Sequence, residues 1–339
     1  MSDLTKKLLF IEGWGGSGKS VLLSLLDSHP NLFCSPVHDK LQYQLMQWKG
    51  NREEIFDIRD VRFLLASHGY YNIEANALRG SIPILLSSKK EDVLEVPFDL
   101  DFEKFETIWK DRVREEKKLT SSKIINAIYL SFRNSIEVTN LENIKYNCTM
   151  GDGRFHNVKG LLNKYLDSKI IYVKRSFDQV VATRIARKSP AGFPENMFNK
   201  SFIDVIFNAE IFELAAYEKN INKMRLKYPD RIMIIDFDKL VVDTNNIMIE
   251  VSNFLGIEFG ESMLTPTLLN IELKNERIGY IGEVNDKPEN YLSSSQIIVI
   301  KMIKFIASIN ANLSLFIVKI LKKINYIRLY FIKKLKSWL

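Results

Sequence analysis

The residues from Gly13 to Ser20, "GWGGSGKS", read Gly-x-x-x-x-Gly-Lys-Ser. That spacing is a P-loop. Gly13, Gly15, Gly16 and Gly18 let backbone N–H groups approach an anion closely, and a helix starting just after them adds its positive end. Lys19 contributes a point charge and Ser20 a hydroxyl donor. The candidate phosphate contacts are therefore Gly15, Gly16, Ser17, Gly18, Lys19 and Ser20. The loop alone leaves open what the phosphate belongs to. A second feature, "RIMIIDF", is an apolar run ending in Asp236, the shape of a strand end that positions magnesium in a kinase or NTPase.

These residues need elements to hold them. Leu8-Leu9-Phe10-Ile11 reads as a buried strand ahead of the loop, and Ser20 to Asp27 as a helix stopped by His29-Pro30. Residues 40–145 read mostly as helical, an insertion covering the site. Strand character returns at Lys169 to Val173. Lys174-Arg175 and a helical stretch, "SFDQVVATRIARK", follow it. A third strand, Arg231 to Ile235, leads into a helical pattern closed by Gly256. Strands alternating with helices imply a parallel α/β sheet, with ligands beyond the C-terminal strand ends, where the loop and Arg175 fall.

Composition limits the function classes. Apolar residues make up 46% and charged residues 26%, as expected of a soluble globular protein. Residues 291–339 hold nine Lys and Arg and no Asp or Glu; subtracting these nine from the net charge of +7 leaves −2 for the rest. The basic character belongs to a tail, which argues against a nucleic-acid partner. Two cysteines, Cys34 and Cys148, and an N-terminus without a leader pattern give a cytoplasmic expectation with two buried free thiols. No Cys/His cluster has zinc-ligand spacing.

Three segments, in order, resemble the sulfotransferases that use 3′-phosphoadenosine 5′-phosphosulfate. "GWGGSGKSVLLSLLDSHPNLFCSP" is similar to that family's 5′-phosphosulfate loop, leucine-rich helix and "LLDxHP". "DSKIIYVKRSFDQVVATRIARK" resembles its 3′-phosphate site. "YPDRIMIIDFDKLVVDTNNIMIEVSNFLGIEF" resembles its later strand, helix and closing "FLGI". Together they span roughly a quarter of the chain. The resemblance implies a three-layer α/β P-loop fold with a central parallel sheet over residues 1–290; the residue pattern itself places the helical insertion at about 40–145 and a basic amphipathic helical tail at 291–339. It implies 3′-phosphoadenosine 5′-phosphosulfate as donor, no required metal, and a hydroxyl acceptor, a carbohydrate or lipid-linked glycan. Arg175 then contacts the 3′-phosphate, with Thr183 at the family's serine position; Arg184 and Arg187 lie at the rim.

The chain departs from the pattern in places. Gly16 stands where many members have a cation, and Lys19 where they have Thr, so Lys19 is expected to supply the missing charge. His38 and Asp39, in "SPVHDK", occupy the place of the family's catalytic base, and His156, in the glycine-broken "GDGRFHN", is a weaker candidate. Residues 297–339 interleave Ile, Leu, Phe and Tyr with Lys. Phe305 to Val318 is too short a charge-free run to span a bilayer, which suits a peripheral contact at the inner face of the membrane or a helix packed on the core. Two rival readings stand beside sulfotransfer. One is a magnesium-dependent kinase or NTPase using Lys19 and Asp236; the other is a nucleotide-binding, membrane-associated protein without catalysis.

Overall fold

A computed structural model describes residues 3–36, 41–48, 59, 68–85, 93–116, 119–136, 143–151, 155–188, 210–273, 292–309 and 320. These fall into two compact units. The first is drawn from residues 1–13, 18–174 and 228–283, the second from residues 14–17, 175–227 and 284–339.

The first unit is built on a five-stranded sheet. Its strands are β1 (Lys7–Glu12), β2 (Leu32–Cys34), β5 (Tyr146–Met150), β6 (Lys169–Lys174) and β7 (Ile232–Asp236), in the order β2-β5-β1-β6-β7. Every pair is parallel. The expected α/β fold is therefore observed. Leu9, Phe10 and Ile11 are fully buried, as are Ile170 and Ile171 beside them, because a parallel sheet is covered on both faces. Helix α1 (Lys19–Leu26) follows the loop and buries Leu22, Leu25 and Leu26, each contributing roughly 2 kcal/mol of apolar burial.

Two of the five strands were not foreseen. β2 is three residues long, and β5 reads Tyr-Asn-Cys-Thr-Met, with two polar side chains facing the interior. Asn147 is tolerated there because its Nδ2 donates to Asn126 Oδ1 at 2.7 Å, while Asn126 Nδ2 donates to the carbonyls of Leu4 and Lys6. Cys34 and Cys148 stand opposite each other in the β2–β5 register, both buried and both free thiols. Burial and the neighbouring Cys148 push the Cys34 thiol well above its ordinary range.

Between β2 and β5 lie α2 (Leu41–Trp48), α3 (His68–Arg79), α4 (Phe102–Glu115) and α5 (Ser121–Ser135). An antiparallel hairpin, β3 (Ser81–Leu85) with β4 (Val93–Pro97), interrupts this helical stretch. Pro83 within β3 hides it from pattern reading. Asp101 caps α4 by accepting from the Lys104 N–H at 2.9 Å, and Phe105, Trp109 and Val113 form its buried stripe. After β5 come α6 (Phe155–Lys164) and β6; Arg231 then ties the start of β7 to the α6–β6 turn, donating to the Tyr165 and Ser168 carbonyls at 2.8 and 3.0 Å.

The second unit contains α7 (Phe177–Lys188), α8 (Glu210–Lys227) and α11 (Ser294–Ile309), packed on one another. The helical pattern after β7 belongs to the first unit and is two helices, α9 (Phe237–Val242) and α10 (Thr244–Leu255), separated at Asp243. Gly256 closes α10 at φ 68°, the left-handed cap its sequence position implied.

Candidate functional site

The loop after β1 is made possible by its glycines. Gly13, Gly16 and Gly18 have φ of 149°, 90° and 90°, values that a Cβ disfavours. Gly18 is constrained a second way. A Cβ there would lie 2.0 Å from Phe237 Cδ2, so the ring at the start of α9 packs directly on this glycine.

Lys19 opens α1 and is 9% exposed. Its Nζ turns back along the loop and donates to the Gly13 carbonyl at 2.5 Å. Ser20 follows it on the first turn and is exposed. The remaining loop residues belong to the second unit. There the Ser17 N–H donates to the Trp14 carbonyl at 2.9 Å, closing a tight turn. The Ser17 side chain is 2% exposed, and among the described residues its hydroxyl has no hydrogen-bond partner. A buried hydroxyl without a partner is costly.

Arg175, directly after β6, is also in the second unit. Its Nη1 donates to the Gly16 carbonyl at 3.1 Å, and the side chain is 8% exposed. The guanidinium thus reaches the one loop position at which the sequence lacks the expected cation. Thr183, Arg184 and Arg187 lie on α7; their side chains are outside what is described. His38 and Asp39 lie outside the described residues. His156 is not in a glycine-broken loop but on the first turn of α6, because helix pattern resumes at Phe155.

Asp236 ends β7, as the sequence implied, and works there as a helix cap. Its Oδ1 accepts from the N–H groups of Asp238 and Lys239 at 3.0 and 3.4 Å, satisfying two orphan donors of α9. Among the described residues no three His, Cys, Asp or Glu side chains gather in a group that could hold a metal ion.

Two clusters escaped sequence reasoning. Glu12, the residue before Gly13, is fully buried, and Tyr43 Oη donates to Oε1 and Oε2 at 2.6 and 2.7 Å. A Cβ on Gly151 would lie 1.9 Å from Tyr43 Oη and 2.0 Å from Glu12 Oε1, so that glycine is dictated by the pair. Gln42, the neighbour of Tyr43 on α2, donates to the Met150 carbonyl at 3.3 Å. Together these bonds fix α2 against the C-terminal ends of β1 and β5. A lone Glu ending an apolar run was the only signal available.

The second cluster explains "LLDSHP". Asp27 Oδ2 accepts from Thr267 Oγ1 at 3.0 Å and from the Asn270 N–H at 2.9 Å. His29 Nε2 donates to the Glu258 carbonyl at 2.8 Å, and its Nδ1 accepts from the Asn31 N–H at 3.1 Å. These side chains staple the end of α1 to the segment after α10. Burial raises the Asp27 carboxyl and lowers the His29 imidazole relative to their ordinary values.

No protein-family model and no curated protein matches the chain. Among solved structures it is similar to the sulfotransferase domain of the Synechococcus PCC 7002 olefin synthase, at 15% identity over 87% of this chain and 94% of that one, with a TM-score of 0.44. It is similar to the sulfotransferase domain of the curacin biosynthetic pathway, at 15% identity over 88% and 91%, with a TM-score of 0.46. It is also similar to a sulfotransferase of Mycobacterium tuberculosis H37Rv, at 11% identity over 88% and 76%, with a TM-score of 0.44.

Proposed function

We propose that this protein is a sulfotransferase that moves a sulfuryl group from 3′-phosphoadenosine 5′-phosphosulfate to a hydroxyl acceptor. The observation that carries the reading is the bond from Arg175 to Gly16. It joins the two segments that resemble the 5′- and 3′-phosphate sites, 159 residues apart in sequence. The residues fit a nucleotide carrying phosphates at both ends. The loop glycines take backbone angles that other residues avoid, the Ser17 hydroxyl is buried and unpartnered among the described residues, and Lys19 and Arg175 supply charge.

The donor supplies the activated sulfate and leaves as 3′-phosphoadenosine 5′-phosphate. Gly15, Gly16, Ser17, Gly18, Lys19 and Ser20 hold its 5′ end; Arg175 and Thr183 are the residues for the 3′-phosphate. Negative charge grows on the departing 5′-phosphate, where loop N–H groups and Lys19 stabilise it without reorganising. One such donor is worth about 3–4 kcal/mol of barrier by general precedent. His38 or Asp39 accepts the acceptor's proton as the new oxygen–sulfur bond forms. The acceptor we propose is a saccharide, lipid-linked where the basic tail holds the protein at the inner face of the membrane.

A kinase or NTPase is the second reading, favoured by Lys19. Asp236, its other support, already serves as the α9 cap. Thermal shift separates the two, since a ligand stabilises the fold it binds. Selective, metal-independent stabilisation by 3′-phosphoadenosine 5′-phosphate supports sulfotransfer. Stabilisation by ATP with magnesium alone replaces it with the kinase.

A further inference from the structure

A strand end, one glycine and a lysine connect helix α2 to the phosphate loop, all within the first unit. Glu12 is the last residue of β1 and stands opposite Tyr172 in the register with β6. The next residue, Gly13, leaves the sheet with φ 149°. Its carbonyl accepts from Lys19 Nζ at 2.5 Å, and Lys19 is buried. An ammonium carries three donors, so a bond to Gly13 is compatible with a second one to a phosphate. Glu12 and the acceptor that aims Lys19 are thus neighbours in the chain. The residue between strand and loop is a glycine, which does little to fix its own carbonyl. What holds that carbonyl in place has to come from its flanks.

On one flank the Glu12 side chain supplies that restraint. It is fully buried, and Tyr43 Oη donates to its two oxygens at 2.6 and 2.7 Å. Tyr43 is itself fixed, because α2 is held at three further points. Gln42 Nε2 donates to the Met150 carbonyl at 3.3 Å, and the Gln42 carbonyl accepts from Tyr165 Oη at 3.1 Å. Met46 lies so close over Gly160 of α6 that a Cβ there would be 2.2 Å from its Sδ. A functional side chain is placed well when the groups behind it are locked by packing and hydrogen bonds. Here the locked group is a helix, and the path from it to Lys19 runs through Tyr43, Glu12 and Gly13.

We propose that Glu12 and Tyr43 are positioning residues for Lys19, carrying the placement of α2 through Gly13 to the ammonium that meets the phosphate. The inference rests on the phosphate-cradle part of the proposed function and on neither the sulfuryl group nor the acceptor. A purely structural pair behaves differently: losing the Tyr43 hydroxyl then lowers stability and leaves the affinity of the folded protein as it was.

The test is a double-mutant cycle on nucleotide affinity, measured by calorimetry on the full chain at a temperature where every variant is folded. The probes are 3′-phosphoadenosine 5′-phosphate and, separately, ATP with magnesium. Tyr43→Phe should weaken the nucleotide that the parent binds roughly tenfold with Lys19 present, and less than about twofold in the Lys19→Ala background, where no ammonium is left to misplace. Glu12→Gln alters the same contact from the other side and should couple to Lys19→Ala in the same way, which keeps the proposal testable should Tyr43→Phe not fold. Asp101→Ala is the control. It removes the cap of α4, which costs stability at a site that makes no contact of this relay, and should leave affinity unchanged. Equal fold-losses with and without Lys19, or the same loss from Asp101→Ala, overturn the proposal and leave nucleotide binding standing. A parent that binds neither nucleotide overturns the proposal together with the phosphate site it rests on.

Discussion

Arg175 Nη1 donates to the carbonyl of Gly16 at 3.1 Å. One bond thus braces the glycine-rich turn at Gly16 and fixes where a buried guanidinium sits. Lys19, expected to replace the cation missing at Gly16, donates to the carbonyl of Gly13. Arg175→Ala should weaken binding of 3′-phosphoadenosine 5′-phosphate roughly ten- to a hundredfold, the size of one or two kcal/mol-scale charged hydrogen bonds. It should also weaken adenosine 5′-phosphosulfate, which lacks the 3′-phosphate, because the loop loses its brace. Calorimetry with both ligands checks this. A loss confined to the 3′-phosphorylated ligand would mean the bond to Gly16 has no bearing on the loop. Arg175→Lys should not restore binding, since a point charge cannot hold a carbonyl and a phosphate in one plane.

Ser17 gives a prediction of opposite sign for stability and affinity. Its buried hydroxyl has no partner among the described residues, so Ser17→Ala should leave the thermal midpoint of the free protein unchanged or raise it slightly. The same variant should lower nucleotide affinity, by about 1 kcal/mol for one neutral hydrogen bond. A variant that lost stability and kept affinity would mark Ser17 as an ordinary structural hydroxyl.

Glu12 and Tyr43 should behave as a coupled pair. Tyr43→Phe removes the hydroxyl that donates to both oxygens of a fully buried carboxylate. The expected loss is about 1–3 kcal/mol in chemical denaturation, the cost of leaving a buried acceptor short of a donor. Glu12→Gln in the Tyr43→Phe background should cost less than Glu12→Gln alone, a coupling that a double-mutant cycle reads directly. Additive losses would show that the two side chains merely share a location. Gly151→Ala should be at least as harmful as either, since its Cβ would overlap both groups.

What was legible in the sequence follows from these residues. β1, β6 and β7 announced themselves because a strand covered on both faces must be an apolar run, and Gly256 announced the end of α10 because its φ of 68° favours glycine. β5 did not, since the buried Asn147 amide donates to Asn126, a partner 21 positions away that no local pattern can indicate. The loop was legible from its glycines, whereas the partner of Gly16 was not, because that contact is made across 159 residues. "LLDSHP" was recognised as a resemblance. Its physical reason, the staple from Asp27 and His29 to residues 258–270, needed the fold.

That staple makes stability depend on pH. Burial holds the His29 imidazole below its ordinary value of 6.5. The native state therefore prefers the neutral ring, with Nε2 donating to Glu258 and Nδ1 free of a proton to accept from Asn31. A group depressed on folding contributes stability that is present above its unfolded value and lost as pH falls through the folded one. The thermal midpoint should thus decline as pH is lowered from about 7.5 past 6.5. Asp27 has the opposite sign: its carboxyl is raised by burial above 3.8, so its contribution is lost as pH rises from that value. His29→Gln keeps a donor toward the Glu258 carbonyl and cannot titrate. It should flatten the decline below pH 6.5 relative to the parent, measured by differential scanning calorimetry across that range. An identical slope in parent and variant would assign the pH dependence to another group and leave the staple indifferent to the charge on His29.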